Sequence, residues 1–497
     1  MKPKNIAILL STLNGGGAER IAGLLSKELA KIYNVYIFLK NSDNIVYEYG
    51  GTIVDVCLGK EGIFYEYAVK ELKEKYQIDV SISFMEPMNF TNIRTRNYER
   101  IILSERSVQS LIDPPAFADN ERIMRYYDSA DAIVSCSEGC KYDLVYNYGV
   151  RNQIKTIYNF INKEAILSKS NNDKDFLIND FLCGEEYYLN IGRLHPQKNQ
   201  LRLISQFACF HKKHCGIKLV ILGSGMLENE LNQHIRDLGL EDCVKIVPYT
   251  RNPFVYIRHA KALILSSRYE GLPNVILEAM TIGCPIIATD CLSGPRELLG
   301  GVCDYSKKYD NITVFDRGIM VTNDVTEDKL NTTYMAQAMA IVSENESICK
   351  KMVMNQKRYM LEYTNKKIVD QWIDVIEDSG KKVANVLANE QRMMDSAKYL
   401  FIYGYGLIGT NTYLSLKRKY KIEGFVVTNK SNVKQYLFDK PVYEIGEIST
   451  NPEETVFIMG AGGRNANEIF KKISDYGYKK VCFPYLEPVI DADFNRR

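Results

Sequence analysis

Residues 266–290 have the sequence SSRYEGLPNVILEAMTIGCPIIATD. A short apolar run at 262–266 and another at 285–289 both suit buried β-strands. Between them a glycine turn leads into a helical segment, which Pro273 suits as a first-turn residue. A strand, a helix and a second strand in this order predict a parallel sheet with helices packed on it.

Two carboxylates mark the same stretch as a candidate binding site. Glu270 precedes the glycine turn and Glu278 lies two helical turns later, so we expect both to face one crevice. Gly271 and Leu272 should present free backbone N–H groups at the positive end of the helix dipole, where a sugar phosphate can sit. The alternative is that Glu270 caps the helix and Glu278 is a solvated helix residue.

The alternation of short strands and helical segments continues along the whole chain and predicts an α/β fold. We expect an N-terminal Rossmann-like domain at 1–164, a second one at 165–380 and a small third one at 398–497. The polar stretch 163–186 is interpreted as an interdomain linker, and helices within 327–378 are expected to brace the first two domains.

The strands predicted for the first two domains share short length and β-branched or apolar composition. They are 5–11, 35–39, 79–84, 100–103, 132–135, 154–158, 187–191, 218–222, 244–247, 262–266 and 285–289.

Glycine turns follow the first strand of each of these two domains. Gly15, Gly16 and Gly17 lead into a helix, and phosphate can approach backbone N–H groups there. A triple glycine could equally serve only the tight turn. In the second domain a strand delivers Gly192 and Arg193 to the crevice where open α/β sheets bind ligands. With Lys198 nearby, two cations there favour a diphosphate, whereas the alternative is that both are solvated surface charges.

Composition excludes several classes of protein. At 497 residues the chain should contain more than one domain. Lys and Arg total 63 against 61 Asp and Glu, so no overall field attracts nucleic acid, and no nucleic-acid partner is expected. No apolar run approaches the roughly 20 residues that span a bilayer, and the 12 scattered cysteines suit reduced thiols. These features predict a cytoplasmic protein.

An ordered set of motifs resembles the nucleotide-binding half of the retaining GT-B glycosyltransferases of family GT4, which act in bacterial surface-polysaccharide biosynthesis. The matching stretches are STLNGGGAERI, NIGRLHPQKNQ, LVILGSGMLENEL, VPYTRNPFVYIRHAKALILSSRYEGLPNVILEAM and PIIATDCLSGPRELL. The resemblance implies a GT-B fold with the acceptor domain first and the donor domain second. It implies transfer of a sugar, with retention, from a nucleoside diphosphate sugar to a lipid-linked or polymeric glycan.

The same resemblance implies residue roles. Arg193 and Lys198 would bind the donor diphosphate, Glu270 the sugar hydroxyls and Glu278 the ribose. The glycines at 15–17 would close over the donor, and Gly192, Gly271 and Leu272 would line its site.

Further expectations concern the substrates and the cell. A UDP-hexose or UDP-N-acetylhexosamine is the expected donor, with no cofactor and no metal. The Asp-x-Asp pair Asp491 and Asp493 lies in a terminal tail and is interpreted as solvated charge. A lipid-linked acceptor would call for peripheral contact with the inner membrane surface.

One departure from the family lies in the first domain. Many relatives carry a histidine where this chain has Ser104, Glu105 and Arg106. Glu105 or Arg106 is a candidate for contact with acceptor or donor, but no catalytic base is assigned. Near the linker, Phe160 stands where proline is usual, which concerns the hinge more than the chemistry.

The stretch 89–106 is the candidate membrane-docking patch. It combines arginines with Phe90, Ile93 and Tyr98, a mixture suited to anionic headgroups. The alternative is that 101–103 form a buried strand and the arginines a solvated rim.

The third domain carries Gly404, Gly406 and Gly409 in a dinucleotide-like spacing after a strand. No carboxylate stands at the end of the next strand, because Glu423 is at its start. This leaves two alternatives to the transferase: a protein whose third domain binds a dinucleotide, and a non-catalytic scaffold that binds a sugar nucleotide.

Overall fold

The computed structural model describes residues 3–56, 63–112, 127–305, 309, 311–323, 333–378, 392–404, 406–431, 433–459 and 466–482. These residues form three mainly parallel sheets covered by helices. The α/β fold class predicted from the sequence is confirmed.

The first sheet contains seven parallel strands in the order β3-β2-β1-β4-β5-β6-β7. Its strands are β1 (Asn5–Leu10), β2 (Asn34–Leu39), β3 (Thr52–Asp55), β4 (Val80–Phe84), β5 (Arg100–Glu105), β6 (Ala132–Ser135) and β7 (Ile154–Thr156). Both β1, with consecutive apolar residues, and β4, in which Ser81 and Ser83 alternate with apolar residues, are buried on both faces, as a doubly covered parallel sheet requires.

The second sheet repeats this arrangement in the order β10-β9-β8-β11-β12-β14-β13. Its strands are β8 (Glu186–Ile191), β9 (Ile217–Leu222), β10 (Val244–Val247), β11 (Ala262–Leu265), β12 (Ile286–Thr289), β13 (Ile312–Phe315) and β14 (Gly318–Val321). Only the edge strand β13 runs antiparallel to its neighbour among these described strands. In each of these two sheets the strand that comes first in the sequence lies third in the order. The next strands are added on one side of it and the later ones on the other, so the order of strands reverses beside it.

The third sheet has six strands in the order β17-β18-β16-β15-β19-β20. They are β15 (Tyr399–Tyr403), β16 (Ile422–Val427), β17 (Tyr436–Leu437), β18 (Lys440–Glu444), β19 (Thr455–Met459) and β20 (Val481–Cys482). Gly404 follows β15 with a φ of 106°, which favours glycine, so the expected glycine turn is present. Glu423 pairs with Lys421 at the start of β16.

Helices fill the connections between strands. They are α1 (Gly17–Leu29), α2 (Ile63–Lys75), α3 (Met88–Arg94), α4 (Glu138–Tyr142), α5 (Lys163–Ser170), α6 (Asn179–Leu182), α7 (Gln200–His211), α8 (Glu228–Asp237), α9 (Phe254–His259), α10 (Asn274–Ile282), α11 (Gly294–Leu299), α12 (Tyr334–Glu344), α13 (Glu346–Glu362), α14 (Asn365–Glu377), α15 (Leu407–Leu416) and α16 (Ala466–Asp475).

The last two helices of the 327–378 region join the first two sheets, as expected. On α13, Gln356 donates a hydrogen bond of 2.9 Å to the carbonyl oxygen of Arg317 beside the second sheet. On α14, Trp372 stacks on Phe84 of β4 with ring centroids 6.2 Å apart. At its end, Glu377 accepts a hydrogen bond of 2.6 Å from Lys4. The chain therefore returns to the first sheet after completing the second.

The segment 163–186, interpreted from its polar composition as an interdomain linker, is partly helical. The segment contains α5 and α6. The side chain of Asn162 caps α5 by accepting from the Ala165 amide, and Ile166 is buried. The polar composition reflects a helix with few buried residues rather than a flexible chain. The sequence analysis also missed β3, β13 and β14, which are four-residue strands. The limits of the three domains remain a prediction.

Candidate active site

The loop after β8 places Lys198 against Glu270. The Lys198 Nζ lies 2.5 Å from the Glu270 Oε1, although the two residues come from the ends of different strands. Gly192 makes room for the lysine stem, because a Cβ there would lie 3.1 Å from the Lys198 Cε. The structure therefore brings together three of the residues selected from the sequence.

Arg193 is exposed beside this pair. Its charge and that of Lys198 both act on His195, and burial together with these two cations lowers the pKa of the imidazole. Because its pKa is lowered, His195 adds little positive charge to that of Arg193 and Lys198 at this edge of the sheet.

Glu270 is a buried carboxylate in a fixed position. It is 8% exposed, and its Oε1 also accepts a hydrogen bond of 2.6 Å from the Ser267 hydroxyl. Its backbone carbonyl accepts from the Ser293 hydroxyl at 2.7 Å. The alternative that Glu270 only caps α10 is not supported, because its described partners are Lys198 and Ser267 rather than helix amides.

The turn at Gly271 and Leu272 packs directly on the first domain. A Cβ at Gly271 would lie 2.0 Å from the backbone oxygen of Arg106, so only glycine fits. The Gly294 amide donates to the Gly271 carbonyl at 2.9 Å, and the Asn159 side chain donates to the Leu272 carbonyl at 2.9 Å. The turn is therefore held from both domains just before α10 begins.

Glu278, on α10, forms an ion pair with Arg20 on α1. The Glu278 side chain is 6% exposed, so it is not a solvated helix residue. Near the start of the two helices, a Cβ at Gly17 would lie 3.4 Å from the Asn274 Nδ2. Gly15, with a φ of 69°, and Gly16 complete the turn that leads from β1 into α1. The glycine loop of the first domain thus lies close to the start of α10 in the second domain.

The sequence analysis missed Arg20, Asn274 and Asn159 as parts of the site. Arg106, a candidate for contact with acceptor or donor, hydrogen-bonds Asn159, and Asn159 donates at 2.6 Å to Asn274. Arg20 lies within the stretch STLNGGGAERI, so its position beside the glycines was the available signal. Nothing in the sequence links Asn159 to residues more than a hundred positions later.

A second group of acids, the buried Glu105 and the partly buried Glu86, lies at the carboxyl ends of β4 and β5. The Tyr127 hydroxyl contacts both carboxyl groups, 2.5 Å from Glu105, but has a single proton to donate. The Gln109 side chain donates to Glu105 at 2.9 Å and to Glu86 at 2.7 Å. Burial raises the pKa of Glu86 well above its usual range, and the neighbouring Glu105 charge raises it further. Burial also raises the pKa of Glu105, so this pair favours retention of a proton.

The predicted membrane-docking patch is not present as a surface. Phe90 and Ile93 are buried in the core, whereas Tyr98 is exposed. Arg94 pairs with Glu66 at 2.8 Å, and Arg96 pairs with Asp131 at 2.8 Å. The alternative of a buried strand with an arginine rim is closer to the structure.

None of the helices in the described ranges combines the length and apolarity needed to cross a bilayer.

Within the described ranges, no three His, Cys, Asp or Glu side chains come close enough together to hold a metal ion. Asp491 and Asp493 lie outside the described residues.

Comparison with known proteins identifies the second sheet and its loops. Residues 172–302 match the family model described as Glycosyl transferases group 1. This stretch is a glycosyltransferase group 1 domain. The domain includes the Lys198–Glu270 pair, the glycine turn and Glu278.

Two relatives extend the likeness beyond the glycosyltransferase group 1 domain. The chain is 29% identical over 263 residues to an uncharacterized glycosyltransferase, MJ1059, of Methanocaldococcus jannaschii, covering 51% of this chain and 64% of that protein. It therefore spans just under two thirds of that relative. It is 28% identical to the N-acetylgalactosamine-N,N'-diacetylbacillosaminyl-diphospho-undecaprenol 4-alpha-N-acetylgalactosaminyltransferase of Campylobacter jejuni, covering 60% of this chain and 84% of that enzyme.

The fold is similar to that of Anabaena Alr3699/HepE, solved in complex with UDP-glucose. The TM-score is 0.58 at 16% identity, covering 74% of this chain and 98% of the other. The expected glycosyltransferase with a GT-B fold is confirmed at the level of the family domain and the fold. The assignment to GT4 and the donor-binding roles of individual residues remain predictions.

Proposed function

We propose that this glycosyltransferase moves a sugar, with retention, from a nucleoside diphosphate sugar to a lipid-linked or polymeric surface glycan. A UDP-hexose or UDP-N-acetylhexosamine is the favoured donor. The observation that carries the proposal is the Lys198–Glu270 pair at the carboxyl edge of the second sheet, opposite the glycine loop of the first.

The chemistry follows from the charges at this edge. Departure of a nucleoside diphosphate places growing negative charge on the phosphate oxygens, and preorganised positive groups stabilise that transition state. Arg193 and Lys198 supply the positive charge, and the N-terminus of α10 adds unpaired amides. We therefore propose that the enzyme uses no metal and no cofactor beyond its donor substrate.

Glu270 would position the donor sugar. Its carboxylate is fixed by Lys198 and Ser267, and a fixed carboxylate can accept hydrogen bonds from sugar hydroxyls. Glu278 would accept from the ribose, with Arg20 as its present partner. Retention is inferred from the resemblance to GT4 enzymes.

Two named similarities support the substrate classes. The Campylobacter relative is named as acting on a diphospho-undecaprenol acceptor, and the Anabaena structure holds UDP-glucose. By analogy, we propose a lipid-linked acceptor and a UDP-sugar donor. An acceptor of that kind lies at a bilayer, so we also propose peripheral contact with the cytoplasmic face of the membrane. Co-sedimentation with anionic and with neutral vesicles measures this contact, and equal absence from both pellets would contradict it.

A donor screen tests the central proposal. The purified protein is incubated with individual UDP- and GDP-sugars, and release of the nucleoside diphosphate is followed by mass spectrometry. We expect the wild-type protein to release UDP from at least one UDP-sugar, and the Lys198→Ala variant to release much less. NMR of the transferred anomeric centre then checks retention. Equal release by both proteins would exclude this donor site.

A further inference from the structure

The first turn of α1 lies directly on the donor half of the cleft. Arg20 donates through its Nη1 to the Glu278 carboxylate, and Gly17 lies close to the Asn274 side chain. Glu19 belongs to the same turn. Its position relative to the donor half is therefore fixed by its neighbours on both sides.

The Glu19 carboxylate is folded back over the glycine loop. A Cβ on Gly16 would lie 1.8 Å from the Glu19 Oε2, so the carboxylate occupies the space that a side chain on Gly16 would need. It also accepts a hydrogen bond from the Glu19 backbone amide. That amide belongs to the first turn of α1, where helix N–H groups lack intrahelical acceptors. A negative group of the chain itself thus occupies the positive end of α1.

The Glu19 carboxylate also interacts electrostatically with Arg193, the cation to which we assigned the donor diphosphate. Burial raises the pKa of Glu19, while its own backbone amide and the positive charge of Arg193 partly offset this rise. Arg193 is the residue at the end of β8 to which we assigned the diphosphate. Glu19 therefore lies on the glycine loop, within electrostatic range of Arg193.

We propose that the Glu19 carboxylate occupies the place that the donor diphosphate takes when it binds, so that the donor must displace it. This inference rests on the proposed donor site. A carboxylate and a diphosphate repel each other, and the loop amides and Arg193 cannot serve both fully. Glu19 is thus an internal competitor of the donor diphosphate for the loop amides and for Arg193.

Calorimetric titration with UDP and with inorganic pyrophosphate tests the competitor. Pyrophosphate lacks the ribose, so it reports on the phosphate position alone. Glu19→Gln removes the charge but keeps the size of the side chain. We expect its Kd for both probes to fall about fivefold, the size of one charge pair at contact distance in a solvated setting. Glu28→Gln is the matched control, because Glu28 lies on the same helix and pairs with Lys31 at the surface.

The outcomes separate this inference from the proposed function. If Lys198→Ala weakens binding while Glu19→Gln binds both probes like wild type or more weakly, the competitor is excluded and Glu19 acts only as a helix cap or a donor contact. If wild type binds neither probe, or Lys198→Ala binds both as tightly as wild type, the donor site and the competitor both fail. Tighter binding by Glu19→Gln but not by Glu28→Gln supports the inference.

Discussion

The first five strands of the first and second sheets follow the same order, but the two sheets place different charges at the same edge. In the second sheet, the loops after β8 and β11 bring opposite charges together in the Lys198–Glu270 pair. In the first, the ends of β4 and β5 bring two carboxyl groups together around Tyr127. The comparison teaches that topology decides where a ligand can bind, whereas the side chains decide which chemistry is available.

The largest expected effect comes from breaking the opposite-charge pair. Lys198→Ala and Glu270→Ala should each lower kcat/KM at least about a hundredfold, the scale of losing one preorganised electrostatic contact. Steady-state kinetics on the active donor measures this. Lys261→Ala is the control, because Lys261 forms a comparable 2.6 Å pair with Glu186 away from the candidate site. Near wild-type turnover in both site variants, with the fold intact by circular dichroism, would refute their assigned roles.

A second test acts on the contact between the two halves. Gly271→Ala places a Cβ against the backbone oxygen of Arg106, which cannot move away as a flexible side chain can. We expect a loss of stability of about 1–3 kcal/mol and reduced activity. Gly216→Ala is the matched control, because a Cβ there meets open space. If chemical denaturation gave the two variants equal stability, the close approach would be absent in solution.

The like-charge pair of the first sheet should behave in the opposite way when a charge is removed. The folded-state pKa of Glu86 is raised by burial and by Glu105. The folded state of the wild-type protein is therefore most stabilised by Glu86 at low pH, and it loses this stability as pH rises through that pKa. Glu86→Gln stays neutral. We expect its Tm to exceed that of wild type by about 2 °C at pH 8, with a smaller difference at pH 5.

Glu99→Gln provides the contrasting control. Burial acts to raise the pKa of Glu99, but the charge and hydrogen bond of Lys73, 2.8 Å away, together with backbone hydrogen bonds outweigh burial, and the pKa is lowered. Its stabilisation is present above the unfolded pKa and is lost as pH falls through the folded one. Glu99→Gln should therefore lower the Tm at pH 8. If the Glu86→Gln variant melted below wild type at pH 8, the negative charge of Glu86 in the wild-type protein would be compensated by its surroundings.

The difference between the two edges also explains what the sequence could predict. Glu270, Gly271 and Glu278 lie within one strand, turn and helix, so local spacing alone indicated a site. Glu86, Glu105 and Tyr127 lie on separate elements and meet only through the parallel register of β4 and β5. Such contacts depend on tertiary structure, which no local pattern records.

The same reasoning applies to the fold. The long buried strands were predicted because their apolar runs are continuous, whereas β3 has four residues and only one buried side chain. Arg20 and Glu278 are 258 positions apart, so their ion pair follows from domain arrangement alone. The helix α5 within the segment 163–186 was not predicted, because a mostly exposed helix has few apolar residues to reveal its period.

The smallest expected effect concerns metal removal. The proposed donor site meets the diphosphate with Arg193, Lys198 and the N-terminus of α10, so positive charge does not depend on a bound ion. We expect turnover in excess EDTA to equal turnover without it, measured on the donor identified by the screen. The like-charge carboxyl pair of the first sheet makes the test informative, because two carboxylates are also the groups that bind divalent cations. A wild-type rate abolished by EDTA and restored by manganese would show that a metal takes part, and Glu86→Gln would then report whether that pair holds it.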